Sequence, residues 1–429
     1  MAREAETRAG RREGGAGDGA VEIQWLDDLP SLLRFGREWD SHLDAWDCRL
    51  PFLRWDWIRS WTVAYARRSP HPTAYRVAVG RLGGRVIGIA PLVLSRRRLM
   101  PLGPRIRVLH MIGDGPLCPD HLTLPCEPGM EKRFAAALHA ALHARRGRWD
   151  RIELRDLLRP EDAGDRPGST GSTDSTGSTG ATGAAPALLE SVRGTGATVL
   201  DRVRTQCPYA ELPPTWDEFL ARLSRKMRSN VKLGWRKLED SFSVDCAGAA
   251  TIEEVDRAME VLERLHTRAW RERDRIGVFD DPRFRLFHRL HARRAFRSGT
   301  LRLLALTCDE KPVAAILCFA GGRTIHYYQL GHDPDLRAYG VGTLMVLAAI
   351  RRAIEEGAVE FDFLRGSDPY KSRLAPRERR GWDIVFHSDS FADRTGMVVA
   401  WTRRRAGRVA RGVLGKRGTV WVKSRLRMR

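Results

Sequence analysis

Lysine is the scarce charged residue in this 429-residue chain, supplying eight of 74 basic side chains against 53 acids. The excess of +21 is therefore mostly arginine, and eleven basic residues with no acid fall between 403 and 429. Without that tail the body carries about +10. A nucleic-acid binder is not defined by such a total, and the skew toward Arg, Ala and Gly fits a GC-rich coding sequence equally well. Long apolar runs are missing too. No stretch reaches the ~20 apolar residues of a membrane-crossing helix, and the first twenty residues lack the apolar centre of a secretory signal. A cytoplasmic location is expected, peripheral to the membrane if it touches one. The seven cysteines are scattered, odd in number and never spaced C-x-x-C, which supports neither a zinc knuckle nor a disulfide framework. No metal role is assigned to the histidines.

What the chain does have is clear punctuation. Residues 1–20 are polar and Gly-rich, and disorder is expected there. A Ser/Thr/Gly insert occupies 160–187, and Gly168 to Gly180 reads as a near-repeat. It offers almost no large apolar side chain to offset its own ordering entropy. The chain then divides into 21–207, which contains the insert, 208–390, and a basic amphipathic or disordered tail, 391–429. In the first region the pattern gives helices over 28–44, 53–66 and 131–145. A hairpin turns at Gly83-Gly84, and strands cover 149–154 and 197–203. In the second, helices cover 215–238, 251–273 and 282–298. Strands over 301–308, 313–320 and 324–330 follow, then a helix over 343–356 and a strand over 359–364. This is a mixed α/β pattern, a sheet with flanking helices.

The most informative segment is Arg337-Ala338-Tyr339-Gly340-Val341-Gly342-Thr343, between a strand and an amphipathic helix. Two glycines at a helix mouth let backbone approach a ligand, and the first helical N–H groups point outward unpaired. Pyrophosphate suits such a mouth, and Arg337 adds a forked donor. Gly340, Val341, Gly342 and Thr343, with Arg337 and Tyr339, are the candidate cofactor-binding residues.

Three meandering strands, this loop, a helix and a further strand is the order found in GNAT acetyltransferases. Arg337-x-x-Gly340-x-Gly342 resembles their acyl-CoA loop. The surrounding chain is similar to the CelD/BioF2-like acetyltransferases, related to the Fem peptidyltransferases. The matching pieces are Leu265-His266-Thr267-Arg268-Ala269-Trp270, Gly299-Thr300-Leu301 and Pro312-Val313-Ala314-Ala315. They continue through Tyr327-Tyr328-Gln329-Leu330-Gly331, Phe361-Asp362-Phe363-Leu364-Arg365-Gly366 and Tyr370-Lys371. Arg49-Leu50-Pro51-Phe52, with Trp57 and Trp61, resembles the group's N-terminal signature. The resemblance implies two tandem GNAT-like halves, the first without a working CoA loop, and acetyl-CoA or another acyl-CoA as co-substrate. Where the group has Ser-Pro-Gly before the helix, this chain has Ala338-Tyr339-Gly340.

Moving an acyl group from a thioester to an amine needs a proton acceptor, donors for the oxyanion and a proton for the thiolate. Asp362, between two phenylalanines on a central strand, is a candidate base whose pKa burial would raise; its alternative is to bond the amides of the following loop. His326 and Tyr328 share a face of the strand leading to the loop, as base and as acid, or as packed aromatics. Arg228 and Lys232 lie on one face of a basic helix, suited to an acidic acceptor or simply solvated. Tyr370 and Lys371, beyond the Gly366 turn, and Trp270 complete the candidate substrate residues. None of the cysteines lies near these residues in sequence, and direct attack on the thioester is expected. The acceptor would be an amine or hydroxyl of a small molecule, sugar or cell-envelope precursor. Two alternatives stand: a Fem-like transferase using aminoacyl-tRNA, and a non-catalytic accessory protein of polysaccharide synthesis. The basic tail suits a membrane surface or a synthase partner.

Overall fold

A computed structural model describes residues 19–66, 74–98, 105–158, 183–195, 199–366 and 368–388. The expected disorder of 1–20, most of the 160–187 insert and the tail from 391 lie outside these residues, apart from Gly19 and Ala20. Fourteen strands are described: β1 (Glu22–Leu26), β2 (Ala74–Tyr75), β3 (Val77–Leu82), β4 (Arg85–Ala90), β5 (Leu92–Arg98), β6 (Arg105–Met111), β7 (Arg151–Leu158), β8 (Val199–Glu211), β9 (Val244–Gly248), β10 (Leu301–Cys308), β11 (Lys311–Gly321), β12 (Thr324–His332), β13 (Glu360–Asp362) and β14 (Arg377–His387). Eleven of them form one sheet in the order β2-β5-β6-β7-β14-β8-β13-β12-β11-β10-β9, and β1, β3 and β4 form a smaller one. The helices are α1 (Leu29–Phe35), α2 (Trp39–Ala45), α3 (Trp55–Trp61), α4 (Glu131–Ala144), α5 (Ala185–Arg193), α6 (Trp216–Arg222), α7 (Arg225–Ser241), α8 (Ile252–Arg271), α9 (Pro282–Arg297), α10 (Val341–Glu355) and α11 (Pro369–Leu374). The mixed α/β sheet with flanking helices is thus as the pattern indicated.

The same unit occurs twice. In the first half β6, α4 and β7 make a crossover between parallel strands, with Val108 opposite Arg151. In the second, β12, α10 and β13 do so, with Thr324 opposite Glu360. Antiparallel strands precede each crossover. In the second half, alternation along β10 and β11 feeds two cores, as period-2 side chains must. Leu303, Leu317 and Phe319 join α8, α9 and the first half, whereas Leu304, Leu306 and Ile316 face α6, α7 and α10. Phe52 meets Phe319 edge-on at 6.5 Å across the halves. Fully burying a side chain of this size contributes about 1.5–3 kcal/mol.

Several element boundaries differ from those the pattern gives. The division at 207/208 falls inside β8, one continuous strand that pairs with β14 along most of its length and with β13 at its end. The insert ends earlier than 187, because α5 begins at Ala185 with Pro186 in its first turn. The expected helix over 215–238 is two helices. Thr215 caps α6 with its hydroxyl on Glu218 N, Leu223 turns extended, and Ser224 caps α7 through Met227 N. Such hydroxyl caps satisfy otherwise orphaned helical N–H groups. Strands β1, β6, β9 and β14 had no counterpart in the pattern.

Candidate functional site

Strands β12 and β13 pair over only three residues, Thr324, Ile325 and His326 against Glu360, Phe361 and Asp362. Beyond His326 and Asp362 they part. β12 continues to His332, paired on its other side with β11, while the chain after β13 turns to β8 through Phe363 N–H on Pro208 O. The result is a fork with His326 and Asp362 at its vertex. Along the free edge of β12, alternate residues turn backbone N–H and C=O groups into the fork. The register with β11 shifts so that Tyr327 opposes Cys318 and Gln329 opposes Leu317, leaving Tyr328 as an extra residue. A bulge of this kind breaks the ladder and re-aims backbone donors.

The far end of the fork is the glycine loop. A 3₁₀ turn, Pro334–Tyr339, ends at Gly340, which is left-handed (φ 72°) and begins α10. A Cβ there would meet nothing within 4 Å, so glycine is required by backbone conformation and the space beside it is open. At Gly342 a Cβ would come within 2.9 Å of the His332 ring. No side chain caps α10 and no acid lies in its first turn, so the positive end of the helix is unmasked for an anion. The equivalent mouth in the first half is blocked: Glu131 stands at the start of α4 and its carboxylate accepts from Gly129 N at 3.1 Å. Arg268 holds the loop in place through Asp333 (3.0 Å) and Asp335 (2.6 Å). Arg337 is exposed and only loosely paired, 3.5 Å from Glu272. Tyr339 does not crowd the loop. Its ring packs edge-on against Phe242 and its hydroxyl meets Ser241 Oγ at 3.3 Å, both toward α7.

The vertex is a buried charge cluster. Asp362 Oδ2 lies 2.8 Å from His121 Nε2, a close ion-pair contact rather than a well-aligned hydrogen bond, 3.5 Å from Arg379 and 4.0 Å from His326 Nδ1. Its Oδ1 accepts from Leu364 N at 2.7 Å. Arg379, on β14, makes a bidentate pair with Glu360 (2.7 and 2.6 Å) and lies over the Tyr209 ring. Burial alone would raise Asp362, but His121, His326 and Arg379 together hold it well below the usual carboxylate range. The expected upward shift is therefore corrected: the neighbouring groups lower the Asp362 pKa and favour its ionised form. Burial pushes His121 down, and the Asp362 charge more than offsets this, leaving it raised. His326 falls to about 4, because its own burial outweighs the more distant carboxylate.

His121 comes from the first half, on an aperiodic loop that the sequence pattern did not single out. Arg365 anchors that loop. It bonds Asp120 through main chain (2.9 Å) and side chain (2.8 Å), and reaches Asp156 on β7 at 2.8 Å. Cys118, His121, Asp156 and Leu364, all around this clamp, have positive φ. For non-glycine residues this is uncommon, and such clusters mark functional sites. Cys118, three residues from His121, is exposed, so one thiol does stand beside the site.

The other candidate residues are placed as follows. Tyr328 turns into the first half, packs among Phe52, Trp57, His288 and Phe319, and donates its hydroxyl to Leu117 O. It would have to release that bond to protonate anything in the fork. Tyr327, on the opposite face, meets Tyr370 hydroxyl to hydroxyl at 3.0 Å. Lys371 is not a surface lysine. It is buried, and its ammonium bonds the carbonyls of Phe363 (2.9 Å) and Arg365 (2.8 Å), fixing the turn after β13. Arg228 is spent on Ala221 O and Leu223 O, closing the C-terminus of α6. Lys232 is exposed beside a groove of about 1130 Å³ between α7 and α10, lined also by Trp216, Trp235 and Arg236. Trp270 stacks on His266 of its own helix, at 5.4 Å. His139 and His143 are one turn apart on α4, but His139 is engaged by Ser191. Among the described residues no group of three or more metal-type ligands gathers, and no helix is long and apolar enough to cross a membrane.

Residues 225–372 match the family described as "Acetyltransferase (GNAT) domain". That span, about a third of the chain, contains the fork, the glycine loop and α10. No curated protein matches the chain in sequence. Among solved structures, a conserved protein of unknown function from Bacteroides thetaiotaomicron VPI-5482 superposes with a TM-score of 0.50 at 11% identity, over 85% of this chain and 99% of that one. FemX superposes with a TM-score of 0.51 at 10% identity, over 79% and 95%. At these identities the likeness is one of fold.

Proposed function

We propose that the protein is an acyltransferase of the CelD/BioF2-like GNAT group, moving an acetyl or longer acyl group from CoA to an amine or hydroxyl. The observation that carries this is the parting of β12 from β13 toward an uncapped, acid-free α10 mouth. The pyrophosphate lies on the Gly340–Thr343 amides with Arg337 beside it, and the acyl-bearing arm runs down the fork. Acyl-CoA supplies an activated carbonyl; the chain binds it, aligns its carbonyl along the free edge of β12 and shields it from water. The acceptor is a small molecule, sugar or cell-envelope precursor, and attack on the thioester is direct. We place the protein in the cytoplasm, with the 391–429 tail available to a membrane surface or synthase partner.

Calorimetry with acetyl-CoA and longer acyl-CoAs tests this reading. Gly340→Glu and Arg337→Glu are expected to weaken binding at least tenfold. Absence of binding to the parent protein, or equal binding by both variants, overturns it. A second reading, a Fem-like transferase using aminoacyl-tRNA, draws on the exposed Arg225, Lys226, Lys232, Arg236 and Lys237 of α7, which have no acidic partner within salt-bridge reach among the described residues, and on the shared fold with FemX. Consumption of aminoacyl-tRNA without CoA would favour it. CoA binding without turnover across sugar amines would instead point to an accessory role.

A further inference from the structure

Resting on the acyl-CoA reading above, we infer that His121 is the proton acceptor of the transfer step, contributed by the half of the chain that binds no cofactor. Three independent features of the geometry converge on it. First, its Nε2 faces Asp362 Oδ2 at 2.8 Å at the fork vertex, and neither this nitrogen nor the buried Nδ1 makes a well-formed hydrogen bond among the described residues. With the carboxylate beside Nε2, a hydrogen on that nitrogen leaves the lone pair on Nδ1, the ring nitrogen turned away from the carboxylate. Second, the backbone at His121 is left-handed (φ 60°), and the loop is pinned on its N-terminal side by the Asp120–Arg365 bonds. A fold that tolerates that conformation beside a buried ion-pair contact over-determines the position of the ring. Third, the competing groups are occupied or unsuited. Tyr328 donates to Leu117 O, Arg379 is committed to Glu360, and His326 stands 4.0 Å from the carboxylate.

The step balances without a co-reactant. The acceptor nitrogen attacks the thioester carbon, the C–N bond forms, and the C–S bond breaks with its electron pair on sulfur. The proton lost by the nitrogen passes to His121 Nδ1, and the thiolate then takes it to leave as CoA-SH. While the imidazole holds that proton its charge faces Asp362, which stays ionised throughout, so the transient charge is paired. The charged and titratable groups around His121 are Asp362 and His326 from the fork, Asp120 on its own loop and Arg379 on β14.

Two measurements test it. Nitrogen NMR of the full-length protein with ¹⁵N-labelled histidine, with and without acetyl-CoA, should show His121 at pH 8 carrying hydrogen on Nε2 and none on Nδ1. In parallel, His121→Gln should bind acetyl-CoA with affinity within about threefold of the parent. Thiol release from acetyl-CoA in the presence of glucosamine should fall by about 10²-fold or more, the usual span for a general base, and the acid limb of the pH–rate profile should vanish. A hydrogen on Nδ1 at pH 8, or an unchanged rate and pH profile in the variant, overturns the assignment. Failure of the parent protein to bind acetyl-CoA would instead sink the acyl-CoA reading itself, whatever the tautomer of His121.

Discussion

Replacing Asp362 by Asn removes one charge from a cluster of four ionisable neighbours while keeping shape and the Leu364 N–H acceptor. The Arg379 guanidinium retains both bonds to Glu360, so the group left most exposed to the loss is His121. Removing one member of a buried ion pair costs roughly 3–5 kcal/mol, and the surviving Arg379–Glu360 pair places this case at the lower end, about 3 kcal/mol. The cost is pH-dependent. Asp362 has a depressed folded pKa, so its stabilisation is present above the ordinary Asp value near 3.8 and is lost as pH falls through the folded value. His121 has a raised folded pKa, so its share is complete below its ordinary value near 6.5 and disappears as pH rises through the folded one. The destabilisation of Asp362→Asn should therefore be largest between about pH 4 and 6.5, and shrink on either side. Urea denaturation of both proteins from pH 3.5 to 9 reads this directly. A difference that is flat across that range, or smaller than ~1 kcal/mol at pH 5.5, would refute the ion-pair account of the vertex.

Three further outcomes follow from the same geometry. Tyr339→Ala should lose about 1 kcal/mol of stability with the Phe242 contact yet keep acetyl-CoA affinity within about twofold in calorimetry, since the ring is turned to α7. Gly321→Ala should cost about 1–3 kcal/mol in thermal or urea unfolding, because a Cβ would stand 2.7 Å from Arg49 O and 3.0 Å from His326 Nε2. Arg365→Gln leaves Asp120 and Asp156 facing each other without their shared cation, and a loss of roughly 3–5 kcal/mol is expected, with faster proteolysis of the 112–130 loop than in the parent.

The second half was legible because its signals are local. Turns at Asp309-Glu310 and Gly322-Arg323 separate strands of strong alternation, and Gly340 marks a left-handed backbone that favours glycine while Gly342 marks the close approach of His332. His326 and Asp362 could be picked from their strands, and the parallel pairing sets them side by side. His121 carries no periodicity, lies in a loop about two hundred residues earlier, and becomes relevant only through tertiary placement. Arg379 sits on β14, whose charged start, Arg377-Glu378-Arg379-Arg380, reads as solvent-facing although Arg379 is 2% exposed. The sign of the Asp362 shift failed for a related reason. Burial can be inferred from flanking phenylalanines, but the three nitrogen-bearing groups that reverse its effect come from β14, β12 and the other half. Lys371 misled in the same way, because the carbonyls it binds are gathered by a turn rather than by spacing.

The position of β14 also sets an order of events during synthesis. β7 ends at Leu158, and the strand that covers its edge does not begin until Arg377. At about 5–20 residues per second, that edge stays without its partner for roughly 10 to 45 s after it emerges. It carries Ile152, Leu154, Leu157 and Leu158, the kind of apolar open edge on which chains pair with one another. The first half therefore keeps one apolar sheet edge uncovered until the last described strand arrives, and neither half is expected to survive expression alone.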